Sequence, residues 1–306
     1  MDVSIIVVNW NGRGLLARCL QCVESTVKQV RYEVIVVDNA STDGSQEMVK
    51  CDFPNTRLIE NTQNVGFAAA NNQGMEIAQG RFVLLLNSDA FVKDGTVDTM
   101  VAFMDAHPEA GMAGCKLLYD DGRLQRSCTS FPSLATELYS AIKLDKLLPK
   151  SPIFGKYRLS YWNFDDIREV DVIMGAFMMV RREAIDQVGA MDASYFMYSE
   201  EVDWCYRFKN QGWKILYYPE VEAIHLWGGT SKQVQLEMFV QMYQSRIHFF
   251  RKNYGRFSVF LLKILLYLNC VLRVGLGRIY YLRETSPQLR QKQDAFWRLL
   301  RVLPSL

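Results

Sequence analysis

The chain has 306 residues, 49% of them hydrophobic and 22% charged, with a net charge of +2. This is globular composition, with no repeat and no low-complexity tract, so collagen-like, disordered and solenoid classes are excluded and one large or two smaller domains are expected. The near-neutral total hides an asymmetry: from Arg246 onward there are twelve Lys or Arg against two Asp or Glu, a net of +10, which leaves −8 on the rest. The tail is therefore expected to meet a different partner from the body. Met1-Asp2-Val3-Ser4 runs straight into strand-like sequence with no basic n-region or cleavage site, so no signal peptide is expected. Seven scattered cysteines suit reduced thiols, and Cys19-x-x-Cys22 lies among helix leucines with no second pair at zinc spacing.

In chain order, residues 3–8 read as a buried strand ending in Asn9-Trp10-Asn11-Gly12, followed by a helix over 13–29. A second buried strand, 33–37, ends in Asp38-Asn39-Ala40-Ser41. A short helix, a strand near 56–60 and a helix over 67–79 lead to Phe82-Val-Leu-Leu-Leu-Asn87-Ser88-Asp89. Five apolar residues without alternation predict a strand covered on both faces. A helix over 94–106 and a strand near 111–118 complete this half. Strands alternating with helices call for βαβ units and a mostly parallel sheet, with the tips at Asn9, Asp38 and Asp89 on one edge. Ligands bind at that edge in open α/β sheets. No G-x-G-x-x-G follows the first strand and no G-x-x-x-x-G-K-[ST] occurs, which argues against a dinucleotide dehydrogenase and a Walker-type ATPase. A pyrophosphate without a glycine cradle calls for a divalent metal, and Asp89 is the carboxylate placed for it.

The stretches Val-Ser-Ile-Ile-Val-Val-Asn-Trp-Asn, Val-Ile-Val-Val-Asp-Asn-Ala-Ser-Thr-Asp-Gly, Asn64-Val-Gly-Phe-Ala-Ala-Ala-Asn-Asn-Gln-Gly74 and Leu-Leu-Leu-Asn-Ser-Asp together resemble the family 2 glycosyltransferases. Within that family the look is closest to the bacterial rhamnosyltransferases of surface polysaccharide assembly. The resemblance covers roughly residues 3–231. It implies a GT-A fold, a Rossmann-like, mostly parallel central sheet flanked by helices. It also implies a nucleotide-sugar donor, Mn²⁺ or Mg²⁺, and inversion at the anomeric carbon. By the same carry-over Asp38 contacts the base and Asp89 the metal. Val8, Asn9, Asn11, Asn39, Asn64, Asn87 and Ser88 join the donor site, and Asn87-Ser88-Asp89 stands where many relatives have Asp-x-Asp.

Beyond residue 118 the pattern loosens. Residues 119–169 are rich in proline and aromatics and are expected to be partly helical, in a position suited to shaping an acceptor site. Residues 170–180 return to strand-like sequence around Gly175, which by resemblance lies near the donor sugar. In Tyr198-Ser199-Glu200-Glu201-Val202-Asp203, Ser199 reads as a helix N-cap and the acids as a first turn favoured by the helix dipole. Inverting transfer needs a carboxylate to take the acceptor proton. The resemblance points to Glu201, with Glu200 second and Asp203 behind both. A strand at 214–218 leads through Pro219 to His225-Leu226-Trp227-Gly228-Gly229, which resembles the family's His-x-x-Gly-x-Ser pattern. That makes His225 a second metal ligand and Trp227 a donor contact.

A helix over 235–254 ends at Gly255, and apolar residues from Phe257 to Ile279 then recur at steps of three and four, with Arg256, Lys263, Arg273 and Arg278 opposite. The longest uncharged run, Ile264–Leu272, is shorter than the roughly 20 residues a bilayer takes, so a basic amphipathic helix on an anionic membrane surface is expected. The expected organisation is a GT-A domain over 1–234, with a nucleotide-binding half (1–118) and an acceptor half (119–234), and a basic helical region over 235–306. The expected activity is transfer of L-rhamnose from dTDP-rhamnose to a glycan or polyprenyl-linked acceptor, by a cytoplasmic protein peripheral to the inner membrane. Another hexosyl donor (UDP-hexosamine, galactose or galactofuranose) or a non-catalytic nucleotide-sugar-binding scaffold is the alternative. A homo-oligomer is compatible with the sequence, and nucleic acid is not an expected partner.

Overall fold

The computed structural model describes residues 1–226, 235–281 and 287–306. Trp227 and the Gly228-Gly229 loop lie outside the described residues.

In chain order the elements begin with β1 (Val3–Asn9), α1 (Arg13–Thr26), β2 (Tyr32–Asp38), α2 (Ser45–Asp52), β3 (Arg57–Glu60), α3 (Phe67–Ile77) and β4 (Phe82–Asn87). Then come β5 (Ala90–Val92), α4 (Thr96–Ala106), β6 (Ala110–Leu118), β7 (Leu124–Gln125) and β8 (Cys128–Thr129). Two helices follow, α5 (Leu134–Ala141) and α6 (Leu144–Leu147), and then β9 (Arg168–Glu169), β10 (Val172–Ile173) and β11 (Phe177–Arg181). The chain continues through α7 (Arg182–Val188), α8 (Glu200–Asn210) and β12 (Lys214–His225) and ends in α9 (Gln235–Asn253), α10 (Gly255–Tyr281) and α11 (Pro287–Val302).

The main sheet runs β3-β2-β1-β4-β11-β6-β12-β5. Its first four strands are parallel, as alternating βα sequence predicts, with Asn9 opposite Asp38 and Val8 opposite Asn87. All three loop-bearing tips therefore share one edge. Buried strands β1, β2 and β4 supply the core, closed by α1 through Leu16, Cys19, Leu20 and Val23 and by α4 through Val97, Met100, Val101 and Met104. Both sets follow the i, i+3, i+4, i+7 spacing of a single helix face. Helix α3 approaches more closely than a side chain would allow: a Cβ on Gly74 would stand 2.6 Å from Cγ2 of Ile6.

The second half departs from a parallel sheet. β11 enters antiparallel between β4 and β6. The apolar run expected as one strand over 170–180 breaks at Gly175 into β10, which pairs with β8, and β11. β12 is twelve residues long rather than five. Its register against β6 jumps between Tyr218 and Glu222, a bulge that accommodates Pro219, which cannot donate to a ladder. Beyond the bulge β12 pairs antiparallel with β5, a three-residue strand that the sequence does not announce.

Consecutive arginines at the end of β11 close two helices. Arg182 donates to the carbonyls of Met75, Ala78 and Gly80 at the end of α3. Arg181 donates to those of Met104, His107 and Ala110 at the end of α4. Cations are favoured at these carbonyl ends because the helix dipole is negative there.

The chain divides into two compact units. One comprises residues 1–131, 163–196 and 200–232 and contains the main sheet. The other comprises 132–162, 197–199 and 233–306 and is helical. Within the helical unit, α5 carries a capping box between Ser133 and Thr136. Arg246 of α9 reaches Glu137 (2.7 Å) and the hydroxyl of Tyr157 (2.6 Å). Helix α10 buries Leu262, Leu266, Cys270 and Val274 in this unit and exposes Phe257, Phe260, Ile264, Leu268 and Leu272. The stretch Gly255–Gly275 is long and apolar enough, by length and composition, to cross a bilayer. Counting only the uncharged run 264–272 understates it, because Lys263 and Arg273 sit within a continuous helix of 27 residues.

Replacing Arg182 with Ala is expected to lower stability by about 2 kcal/mol or more, since buried carbonyls lose a charged donor. Lys at this position, a point charge without the guanidinium fork, is expected to restore only part of it. Urea unfolding of the three proteins measures both.

Candidate active site

The edge formed by β1, β2 and β4 is built from interlocked polar loops. Asn9 Nδ2 donates to Asp38 Oδ2 (2.9 Å) and to Ser41 Oγ (3.2 Å). Asp38 Oδ1 accepts from the Ser41 amide (2.8 Å) and from Gln46 Nε2 (2.7 Å). Asn11, in the left-handed region at φ 49°, donates its amide to Ser41 Oγ and accepts from the Thr42 amide. Asp38 is wholly buried, so it staples the two loops together as well as standing at the strand tip. Gln46 and Ser41, its other partners, are members of this network that the sequence reading missed. A polar residue in the first turn of the helix after the loop was the available signal for Gln46.

A second network extends from Asn39, whose amide donates to the Asn9 carbonyl (2.8 Å). Its side chain accepts from Asn61 (2.9 Å), which exchanges two hydrogen bonds with Gln73. Asn64 accepts from the Gly66 amide (3.0 Å). Gly66 has φ +86°, and a Cβ there would fall 2.4 Å from the Phe196 carbonyl oxygen. Only glycine lets this loop lie against the segment that leads toward α8.

The third group surrounds Asp89. The Asn87 amide donates to the carbonyl of Ala176, fixing the segment around Gly175 against the tip of β4. Pairing of Ala90 with His225 sets β12 beside this tip. The result brings His225 Nε2 to 3.2 Å from Asp89 Oδ1 and 3.4 Å from Asn87 Nδ2, across 138 residues in the latter case. The other imidazole nitrogen, Nδ1, lies 2.7 Å from Gln125 Oε1, and Gln125 Nε2 donates to the His225 carbonyl at 3.2 Å. An amide oxygen can only accept, so Nδ1 carries a proton toward Gln125 and Nε2 is the nitrogen that faces the carboxylate. A carboxylate oxygen and an imidazole nitrogen side by side are both ordinary ligand atoms for a divalent ion. The residues present thus fit a divalent metal. Among the described residues no third His, Cys, Asp or Glu joins the pair. Gln125, on the two-residue strand β7, is the functional residue that no sequence pattern indicated.

The acidic segment opens α8. Tyr198 and Ser199 both have positive φ (68° and 66°), so Ser199 does not adopt the extended backbone usual for an N-cap. Left-handed conformations at two consecutive non-glycine residues are sustained only where the surroundings impose them. Glu200 is only 4% exposed, and its Oε2 has no hydrogen-bond partner among the described residues. Burial, and then the neighbouring Glu201 charge, push its carboxyl well above the usual range. Glu201 is half-buried. Asp203 is wholly buried and paired with Arg207 (2.9 Å), which also donates to the carbonyls of Val188 and Ala190. Its role is to fix α8.

A sequence model described as glycosyl transferase family 2 matches residues 4–189. The chain belongs to glycosyltransferase family 2. It is 31% identical over 234 residues to the N-acetylglucosaminyl-diphospho-decaprenol L-rhamnosyltransferase of Mycobacterium tuberculosis, covering 73% of this chain and 75% of that protein. The mannosyltransferase PcManGT of Pyrobaculum calidifontis, solved with GDP-Man and Mn²⁺, superposes with TM-score 0.58 at 17% identity, over 99% of this chain and 86% of that one. GalNAc-T7, solved with UDP, GalNAc and Mn²⁺, gives TM-score 0.55 at 16% identity, over 74% and 44%. The fold is that of the GT-A glycosyltransferases, as the sequence implied, and this family 2 member is a hexosyl-transferring enzyme.

Because Glu200 binds its proton more tightly folded than unfolded, it lowers stability as pH rises from the ordinary carboxylate range through its raised value. Glu200→Gln is expected to remove that dependence. The difference from wild type should grow by about 1.4 kcal/mol per pH unit across the window, as read by urea melts from pH 4 to pH 8 (roughly the span in which a shifted carboxyl titrates).

Proposed function

We propose that this family 2 enzyme is an inverting, divalent-metal-dependent rhamnosyltransferase. It moves L-rhamnose from dTDP-rhamnose to a lipid-linked or growing surface glycan at the cytoplasmic face of the membrane. The observation that carries the metal is the Asp89–His225 pair with its tautomer fixed by Gln125, and the Mn²⁺ in two solved structures of the same fold supports it. The sugar and acceptor are supported by the Mycobacterium tuberculosis relative, which is named for both. Membrane placement is supported by the bare apolar stripe of α10.

In this reading the loops tied by Asn9, Asn11, Asp38 and Asn39 frame the base. Val8, Asn64, Asn87, Ser88 and Gly175 line the path to the sugar. Asp89 and His225 would hold Mn²⁺ or Mg²⁺, which when bound offsets the charge developing on the leaving diphosphate. Glu201 takes the proton from the acceptor hydroxyl as that oxygen attacks the anomeric carbon from the face opposite the diphosphate, which inverts it. Burial favours the protonated form of Glu200, so Glu201 is the member of the acidic pair proposed to act as base.

Purified protein incubated with a panel of nucleotide sugars and Mn²⁺ is expected to release nucleoside diphosphate from dTDP-rhamnose. Release should stop on chelation and in Asp89→Ala. With a lipid-linked acceptor, Glu201→Gln is expected to lower transfer about a hundredfold or more. Release from a UDP-hexose instead would replace the donor, and binding of neither dTDP nor UDP by calorimetry would remove the donor-site reading.

Gln125→Leu frees His225 to rotate and change tautomer. Loss of an outer-shell partner of this kind weakens metal binding about 10–100-fold. Paramagnetic titration of Mn²⁺ in the presence of dTDP tests this without turnover.

A further inference from the structure

The helical unit contains a cavity of about 220 Å³ whose wall carries Lys143, Lys146, Arg158 and Arg273 and one carboxylate, Glu137. That carboxylate is already bound to Arg246. Arg158 has Asp145 at 4.0 Å. Lys143, Lys146 and Arg273 have no carboxylate partner among the described residues. Arg273 is held in place by Asn269, its Nε donating to Oδ1 at 2.6 Å, and by the ring of Phe296, 5.2 Å away. Uncompensated cations around a concavity repel one another until an anion enters, and guanidinium beside ammonium suits phosphate oxygens.

What kind of phosphate follows from α10. That helix gives Leu265, Asn269 and Arg273 to the wall. Three positions further along from the first two stand Leu268 and Leu272, neighbours on the helix surface and both exposed. They continue the stripe that includes Phe257, 72% exposed. A ligand with a phosphate head and a hydrocarbon tail satisfies the cations and the stripe together. Three cations without a carboxylate partner exceed what a phosphodiester with one charge neutralises, and a diphosphate brings further negative charge to the same place.

We propose that this pocket binds the diphosphate headgroup of a polyprenyl lipid, whose hydrocarbon lies along the exposed stripe of α10. The inference rests on the lipid-linked acceptor proposed above, but not on the choice of sugar.

The test is flotation of the full chain with three kinds of vesicle: phosphatidylcholine alone, with phosphatidylglycerol, or with polyprenyl diphosphate. The pocket variant is Lys143→Gln/Lys146→Gln. A charge-matched control, Arg256→Gln/Arg301→Gln, removes exposed cations that do not line the cavity. All four residues are exposed, so folding should persist, as checked by circular dichroism. Wild type is expected to bind the diphosphate vesicles tightest. The pocket variant should lose at least about tenfold there, because it gives up charge-assisted hydrogen bonds to the phosphates, and the control clearly less. Equal binding to phosphatidylglycerol and diphosphate vesicles, equal losses in both variants, or no vesicle binding at all would overturn the proposal. Metal-dependent donor hydrolysis on the same samples reads the Asp89 site separately, so failure of the transferase reading appears there and leaves the vesicle result interpretable.

Discussion

The site depends on the antiparallel pairing of β5 with the last three residues of β12. Side chains alternate across a strand, so a slip of one residue would turn His225 to the opposite face. The register is held from several sides. Leu226 donates its amide to the Asp89 carbonyl, Thr96 donates its hydroxyl to the Glu222 carbonyl, and Gln125 grips both ends of His225. Past the bulge at Pro219 the strand keeps its parallel pairing with β6 on one side and pairs with β5 on the other. The place of His225 beside Asp89 at the tip of β4 is thus set by hydrogen bonds made far along the chain.

The acidic pair is governed by a different constraint. Two neighbouring carboxylates at a helix start gain from the dipole, but burial of Glu200 opposes charge there more strongly. The two effects separate residues that are alike in sequence: one carboxyl is closed off, the other half-open. Arg207, holding Asp203 and the carbonyls of Val188 and Ala190, keeps the helix from shifting to relieve the strain at its start.

Much of this was legible in the sequence. Strands buried on both faces have an unbroken apolar signature, so β1, β2 and β4 and the shared edge of their tips could be read directly, and the family motifs named the residues on that edge. The pairing of Asp89 with His225 followed from resemblance, and the geometry then supplied its reason. What could not be read depends on long-range contacts. β5 has three residues and no periodicity to show. Gln125 sits on a two-residue strand. Pro219 looked like a strand end because a bulge cannot be seen without its partner strand. The run 170–180 looked like one strand because Gly175, where it divides, breaks no apolar pattern. Residues 132–162 gave no sign that they belong with the C-terminal helices, since α5 meets α10 more than a hundred residues later.

The division into two units has a consequence for how the chain is made. Each unit is assembled from three separate segments, and the chain passes between them five times. Neither unit can therefore be completed in turn as the polypeptide leaves the ribosome. The sheet waits for its second-last strand position, filled by β12, and residues 132–162 wait unpartnered until α10 is synthesised. A shortened chain ending before α9 would present that waiting segment permanently, with Ile142, Leu147 and Ile153 already exposed in the intact protein and more apolar surface beside them. The boundaries between these segments are therefore poor places to cut the chain.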